Sequence, residues 1–111
     1  MDDFYAREAL RIAGEGVKQI PIPLMTLRIG ELVLYTMPGE IFTTFAKMIK
    51  ARSPFKYNMT SNIANGSIGY VPTVEAFHDG IYEARLCCSS KLVKDAGYTM
   101  TDKLLEMAGT L

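Results

Sequence analysis

The period of hydrophobic and polar positions changes several times along the chain, and the changes divide it into elements. Residues 3–19 carry a helical period, with Phe4, Leu10, Ile12 and Val17 alternating with Arg7, Glu8, Arg11 and Lys18. Asp2 or Asp3 can cap the start of that helix, Gly14 and Gly16 weaken its end, and Pro21 and Pro23 close it. Residues 24–29 and 32–37 form two apolar, β-rich runs around Gly30-Glu31, which predicts a β-hairpin. The second run is nearly continuous, as expected of a strand covered on both faces. Pro38-Gly39-Glu40 breaks it, and residues 41–52 follow with the spacing of an amphipathic helix that ends before Ser53-Pro54.

Residues 57–63 are a weaker strand candidate, polar at Asn58, Thr60 and Asn62. Asn65-Gly66 marks a turn, and Gly69-Tyr70-Val71-Pro72 reads as a tight segment that ends pairing. A short helix is predicted over 73–77 with Thr73 as its cap, a further strand over 82–89, and a closing helix over 99–107. Thr99 would cap the last helix, and Leu104, Leu105 and Met107 would face inward. The fold class is therefore mixed α/β (α+β), a small mixed sheet flanked by helices. Residues 1–111 form either a single domain or a piece of a larger α/β domain, with no internal repeat or linker.

Composition narrows the function classes. At 111 residues with 49% hydrophobic side chains the chain is globular in character. Twelve basic residues balance twelve acidic ones and are mixed along the chain, so no footprint for nucleic acid or an anionic membrane is visible. No apolar stretch approaches the roughly twenty residues of a membrane span, and the acidic start Met1-Asp2-Asp3 does not resemble a signal peptide. The chain as it stands is expected to be cytoplasmic, or secreted or periplasmic if it belongs to a longer precursor. Cys87 and Cys88, adjacent in sequence, are poorly placed to bond each other and are expected to be reduced.

Few residues can do chemistry. His78 is the sole histidine and sits in Phe77-His78-Asp79-Gly80, which reads as a helix end rather than a pocket wall. Three segments stand out. Glu40 lies where a buried strand passes through a Pro-Gly turn into a helix, the position at which open α/β sheets place their sites; it would also favour the positive end of the helix that follows. Tyr70 is preceded by Gly69, which permits close backbone approach, although a buried tyrosine often only satisfies its own hydroxyl. Tyr82-Glu83 follows a turn, and Glu83 could simply pair with Arg85 or Arg52.

Together these segments resemble the neutral, non-lysosomal ceramidase family of zinc-dependent amidases. The resemblance rests on Pro38-Gly39-Glu40 with Thr43-Thr44, on the run from Asn65 through Gly69-Tyr70-Val71-Pro72-Thr73, and on Glu75-Ala76-Phe77 and Gly80-Ile81-Tyr82-Glu83. It covers roughly residues 20–95 in order and spacing, and corresponds to the C-terminal end of that family's catalytic domain. It implies that Glu40 is a zinc ligand, that Tyr70 coordinates the metal or stabilises the oxyanion, and that Tyr82 hydrogen-bonds the scissile amide. The family's two histidine ligands lie upstream of the Pro-Gly-Glu segment, and nothing here corresponds to them. The expectation is therefore zinc in an intact enzyme but none bound by this chain alone, with the missing N-terminal portion or a separate chain as partner. The competing expectation is a stand-alone binding or oligomerising module without chemistry. In either case exposed apolar edges favour a homo-oligomer.

Overall fold

The computed structural model describes residues 2–16 and 19–111. Among these residues the elements are, in order, helix α1 (Asp2–Glu15), strands β1 (Met25–Ile29), β2 (Leu32–Thr36) and β3 (Glu40–Ile41), helix α2 (Thr43–Arg52), strands β4 (Tyr57–Ser61) and β5 (Tyr70–Val71), helix α3 (Val74–Asp79), a 3₁₀ turn (Tyr82–Ala84) and helix α4 (Ala96–Ala108). The expected α/β class holds, with a mixed sheet and flanking helices.

The sheet order is β1-β2-β4. β1 and β2 form the expected hairpin, antiparallel with Leu27 opposite Leu34, and β4 runs parallel to β2 with Leu34 opposite Met59. A parallel neighbour needs a crossover, and α2 provides it. Helices α2 and α4 pack against each other on one face of the sheet, α2 towards β4 and α4 towards β1. Val33 and Tyr35 from β2 meet Phe45 and Ile49 from α2 and Met100, Leu104 and Ala108 from α4 in the core. The buried Tyr35 hydroxyl is not left without partners: it lies 2.7 Å from Ser53 Oγ and donates to Asn58 Oδ1 at 3.3 Å.

Several expectations are corrected. β2 is covered on one face only: Val33 and Tyr35 are fully buried, but Leu32 and Leu34 on the opposite face remain partly exposed. Gly69-Tyr70-Val71-Pro72 does not end pairing. Its two central residues form β5, parallel to β3, with Glu40 opposite Tyr70 and Ile41 opposite Val71. The strand expected over 82–89 is instead a 3₁₀ turn followed by a tight bridge between Cys87 and Ser90, because the segment finds no free strand to pair along its length. α4 begins at Ala96 rather than at Thr99. The bare face of Gly97 admits the Phe45 ring, with Tyr98 edge-on to that ring at 5.0 Å, and this packing outweighs the capping preference of Thr99.

The inward residue of α1 is Tyr5, whereas Phe4 and Leu10 are exposed; Val17 and Lys18 of the expected helix lie outside the described residues. What fixes α1 is polar. Arg85 stacks on the Tyr5 ring at 4.0 Å and pairs with Asp2, and Glu8 accepts the Cys88 backbone N–H at 3.1 Å. Arg11 and that N–H together hold the Glu8 carboxyl down to about 2. Asp2 therefore acts within the first turn as an ion-pair partner rather than as a cap. Cys87 is buried and Cys88 exposed, and neither is in a disulfide among the described residues.

Candidate functional site

The Pro38-Gly39 turn at the end of β2 carries the chain sideways into β3, which places Glu40 beside the sheet rather than within it. Backbone hydrogen bonds hold the turn and the strand after it: Ala64 N–H donates to the Met37 carbonyl at 3.0 Å, Ile68 N–H to the Pro38 carbonyl at 2.6 Å, Ile63 N–H to the Gly39 carbonyl at 3.0 Å, Glu40 N–H to the Gly69 carbonyl at 2.9 Å, and Phe42 N–H to the Val71 carbonyl at 3.2 Å. The two glycines are there because backbone meets backbone. A Cβ on Gly39 would lie 2.7 Å from the Gly69 carbonyl oxygen, and one on Gly69, at φ +89°, would lie 2.4 Å from that of Ser89. Closeness at Gly69 also lets Tyr70 N–H donate to the Ser89 carbonyl at 2.7 Å.

Glu40 and Tyr70 are thus direct register partners across two short parallel strands. They open onto a cleft of about 510 Å³ lined by Phe42, Thr43, Thr44, Asn62, Ile63 and Glu83 as well. Asn62 is tied into this wall through its side-chain amide, which donates to the Ile41 carbonyl at 3.2 Å. The first turn of α2, which has no side-chain cap, forms another part of it. The Tyr82 ring stands edge-on to Tyr70 with centroids 5.9 Å apart. The three residues singled out in the sequence, Glu40, Tyr70 and Tyr82, are therefore brought together. His78 is not among them: it is exposed at the end of α3, beside Asp79 alone.

Glu83 is a cleft residue that the charge pattern misassigned. Its expected partners are engaged elsewhere, Arg85 with Asp2 and Arg52 with Asp102, and Glu83 faces Tyr70 instead. Its place directly after Tyr82 marked the segment, but left a surface ion pair as the alternative. The electrostatic consequence falls on Tyr70. Burial first, then the negative charge of Glu40 and the neighbouring Tyr82 and Glu83, push its phenol above the ordinary tyrosine range. Tyr70 is accordingly a neutral O–H donor throughout the physiological range.

The donor chemistry bears directly on a metal. The cleft offers the carboxylates of Glu40 and Glu83, the Tyr70 phenol, the Thr43 and Thr44 hydroxyls and the Asn62 amide, with no imidazole or thiol, and among the described residues no three His, Cys, Asp or Glu side chains gather into a group that could hold an ion. Zinc prefers nitrogen and sulfur donors in a set of three or four. These residues alone do not fit a zinc site.

Comparison of the whole fold with solved structures gives a crystal structure of neutral ceramidase from Pseudomonas aeruginosa at a TM-score of 0.65 and 22% identity. The fold is ceramidase-like. The match covers 77% of this chain and 14% of that one, so the chain spans a small part of the protein it resembles. No protein-family model and no curated protein matches the chain. Among the described residues of this ceramidase-like fold, no helix is long and apolar enough to cross a membrane.

Proposed function

We propose that this chain supplies the carboxylate-and-tyrosine part of a ceramidase-like, zinc-dependent amidohydrolase site and is inactive alone. The histidine ligands would come from a preceding portion of the polypeptide or from a separate chain. The observation that carries the reading is the pairing of Glu40 with Tyr70 across β3 and β5, beside Tyr82 and Glu83, in a cleft lined by carboxylate, phenol and hydroxyl oxygens and by no imidazole. A neutral Tyr70 phenol can donate to the oxygen of a bound amide, and preorganised donors of that kind stabilise developing negative charge. Tyr82, edge-on to Tyr70, is the second candidate donor to the amide. The substrate class is an N-acylated sphingoid base, whose hydrolysis yields the free base and a fatty acid.

A zinc chelate that brings its own nitrogens tests the idea. In calorimetric titration, free zinc should bind more weakly than about micromolar. The zinc–bipyridine complex, with two nitrogens already in place, should bind at least tenfold more tightly, and Glu40→Gln should remove that gain. Tight binding of free zinc abolished by Glu40→Ala, or chelate binding indifferent to Glu40→Gln, would contradict the assignment. A second reading, a non-catalytic binding module, draws on the apolar side chains Leu27, Ile29 and Met59 that the sheet leaves exposed.

A further inference from the structure

Among the described residues, Tyr5 is the one buried side chain of α1. The helix meets the rest of the chain through polar contacts instead. Asp2, Tyr5 and Glu8 recur every three residues and so share one face of it. The Arg85 guanidinium lies 4.0 Å over the Tyr5 ring and donates to Asp2 at 2.9 Å. Glu8 accepts the Cys88 backbone N–H at 3.1 Å, and Arg11, one turn on, holds that carboxylate from the other side at 2.7 Å.

Both points of attachment, Arg85 and Cys88, fall in the segment that carries part of the cleft. Tyr82 and Glu83 stand near its start. Further on, the Ser89 carbonyl accepts the Tyr70 N–H at 2.7 Å, and the Ser90 hydroxyl donates to the Glu83 carbonyl. Cys87 and Ser90 exchange backbone bonds of 3.0 Å that close the loop between them. Of residues 81–90 only Cys87 and Ser90 are buried, and none joins the core formed by the sheet, α2 and α4. A segment with so few apolar contacts opens locally far more readily than a core strand. At Arg85 and Cys88, α1 supplies the support that the core does not.

The kind of contact matters as much as its place. An apolar seam would make α1 a fixed part of the core. A stacked guanidinium, a largely exposed ion pair and one charge-assisted hydrogen bond are each modest, so together they form a docking that opens without unfolding the sheet. What opens with it is the segment bearing Tyr82 and Glu83.

We propose that α1 is a clasp on the cleft: docked, it holds Tyr82 and Glu83 against Tyr70, and released, it lets them move away. Tyr5 and Glu8 are then positioning residues that act through Arg85 and Cys88. The clasp concerns the geometry of the cleft alone, so it stands or falls apart from the amidohydrolase reading and needs no metal.

Amide hydrogen exchange and proton–proton contacts, followed by NMR on the full ¹⁵N-labelled chain, provide the test. Glu8→Ala removes the acceptor for Cys88, and Tyr5→Leu removes the ring under Arg85 while keeping an apolar side chain. In both variants the Cys88 and Tyr70 amides should exchange roughly tenfold faster, with the amides of β2 unchanged. The contact between the Tyr70 and Tyr82 rings should weaken in parallel. Asp2→Asn, at a side chain 91% exposed, should change these rates by about twofold or less. Leu10→Ala, 76% exposed on α1, should change nothing. A Cys88 amide that speeds up while Tyr70 and its ring contact stay as they were would overturn the proposal, since α1 would then be released without consequence for the cleft. Unchanged exchange at Cys88 in both variants would overturn it too. So would exchange that rises equally in β2, which would make α1 a support of the whole fold.

Discussion

Replacing Gly69 by alanine attacks the joint on which the cleft depends. The added Cβ would stand 2.4 Å from the carbonyl oxygen and 2.6 Å from the carbonyl carbon of Ser89. Both are backbone atoms, so no side chain can rotate away and residues 87–90 must shift. That shift removes the bond from Tyr70 N–H to Ser89, worth about 0.5–1.5 kcal/mol. Overpacking adds about 1–3 kcal/mol, and a left-handed backbone at a residue with a Cβ about 1–2 kcal/mol more. The expected loss is about 3–5 kcal/mol, a large share of the roughly 5–15 kcal/mol that holds a domain together. Urea unfolding should show it as a fall in midpoint of roughly 2 M or more at unchanged slope. Gly14→Ala is the control. Nothing lies within 4 Å of its Cβ position and it sits inside α1, so that variant should gain up to about 1 kcal/mol. A Gly69→Ala protein within about 0.5 kcal/mol of wild type would refute the close approach and the site geometry built on it.

Two further outcomes are expected. Thr101 is fully buried on α4 with its hydroxyl unpartnered, so Thr101→Val should raise stability by about 1 kcal/mol, and a loss in thermal or urea unfolding would reveal a missed partner. Tyr70 should ionise above the ordinary tyrosine range in an ultraviolet pH titration. Glu40→Gln should move that step downwards, though not fully to the ordinary value, because burial is the larger cause. The sign for stability follows: the benefit of the neutral phenol is complete below the ordinary tyrosine pKa near 10 and is lost as the pH rises through the raised one. A phenol step that ignores Glu40→Gln would separate the two residues.

The hairpin and α2 were legible in the sequence because turn chemistry and hydrophobic period agree there. Gly30-Glu31 stands between β1 and β2, and apolar residues from Phe45 to Ile49 keep to one helical face. Glu40, Tyr70 and Tyr82 stood out in the sequence as exceptions to that regularity, a carboxylate after a Pro-Gly turn and tyrosines at glycine-marked bends, but only the fold brings them to one place. What local pattern could not supply was pairing at a distance. β3 and β5 are two residues each, and only the backbone approach at Gly39 and Gly69 makes them strands. The segment from Tyr82 to Ser89 has strand composition, but an apolar run becomes a strand only where a neighbour offers an edge. Glu83 was misread for a related reason, since sequence proximity to Arg85 says nothing of the claim Asp2 and Tyr5 make on that guanidinium. The continuous apolar run of β2 suggested cover on both faces, but among the described residues only the Val33 and Tyr35 face is buried, because an apolar run does not say whether a second layer is there to meet it.

The claim that this chain holds one part of a divided site meets its most direct test in the gene. Reading the source locus upstream of the Met1 codon should reveal an in-frame extension, or a neighbouring frame, that carries separated histidines. Glu40 would then be the oxygen ligand of a completed metal centre, with the Tyr70 phenol as donor beside it. A stop codon close upstream, with no adjacent frame supplying histidines, would contradict the amidohydrolase reading and leave a free-standing module.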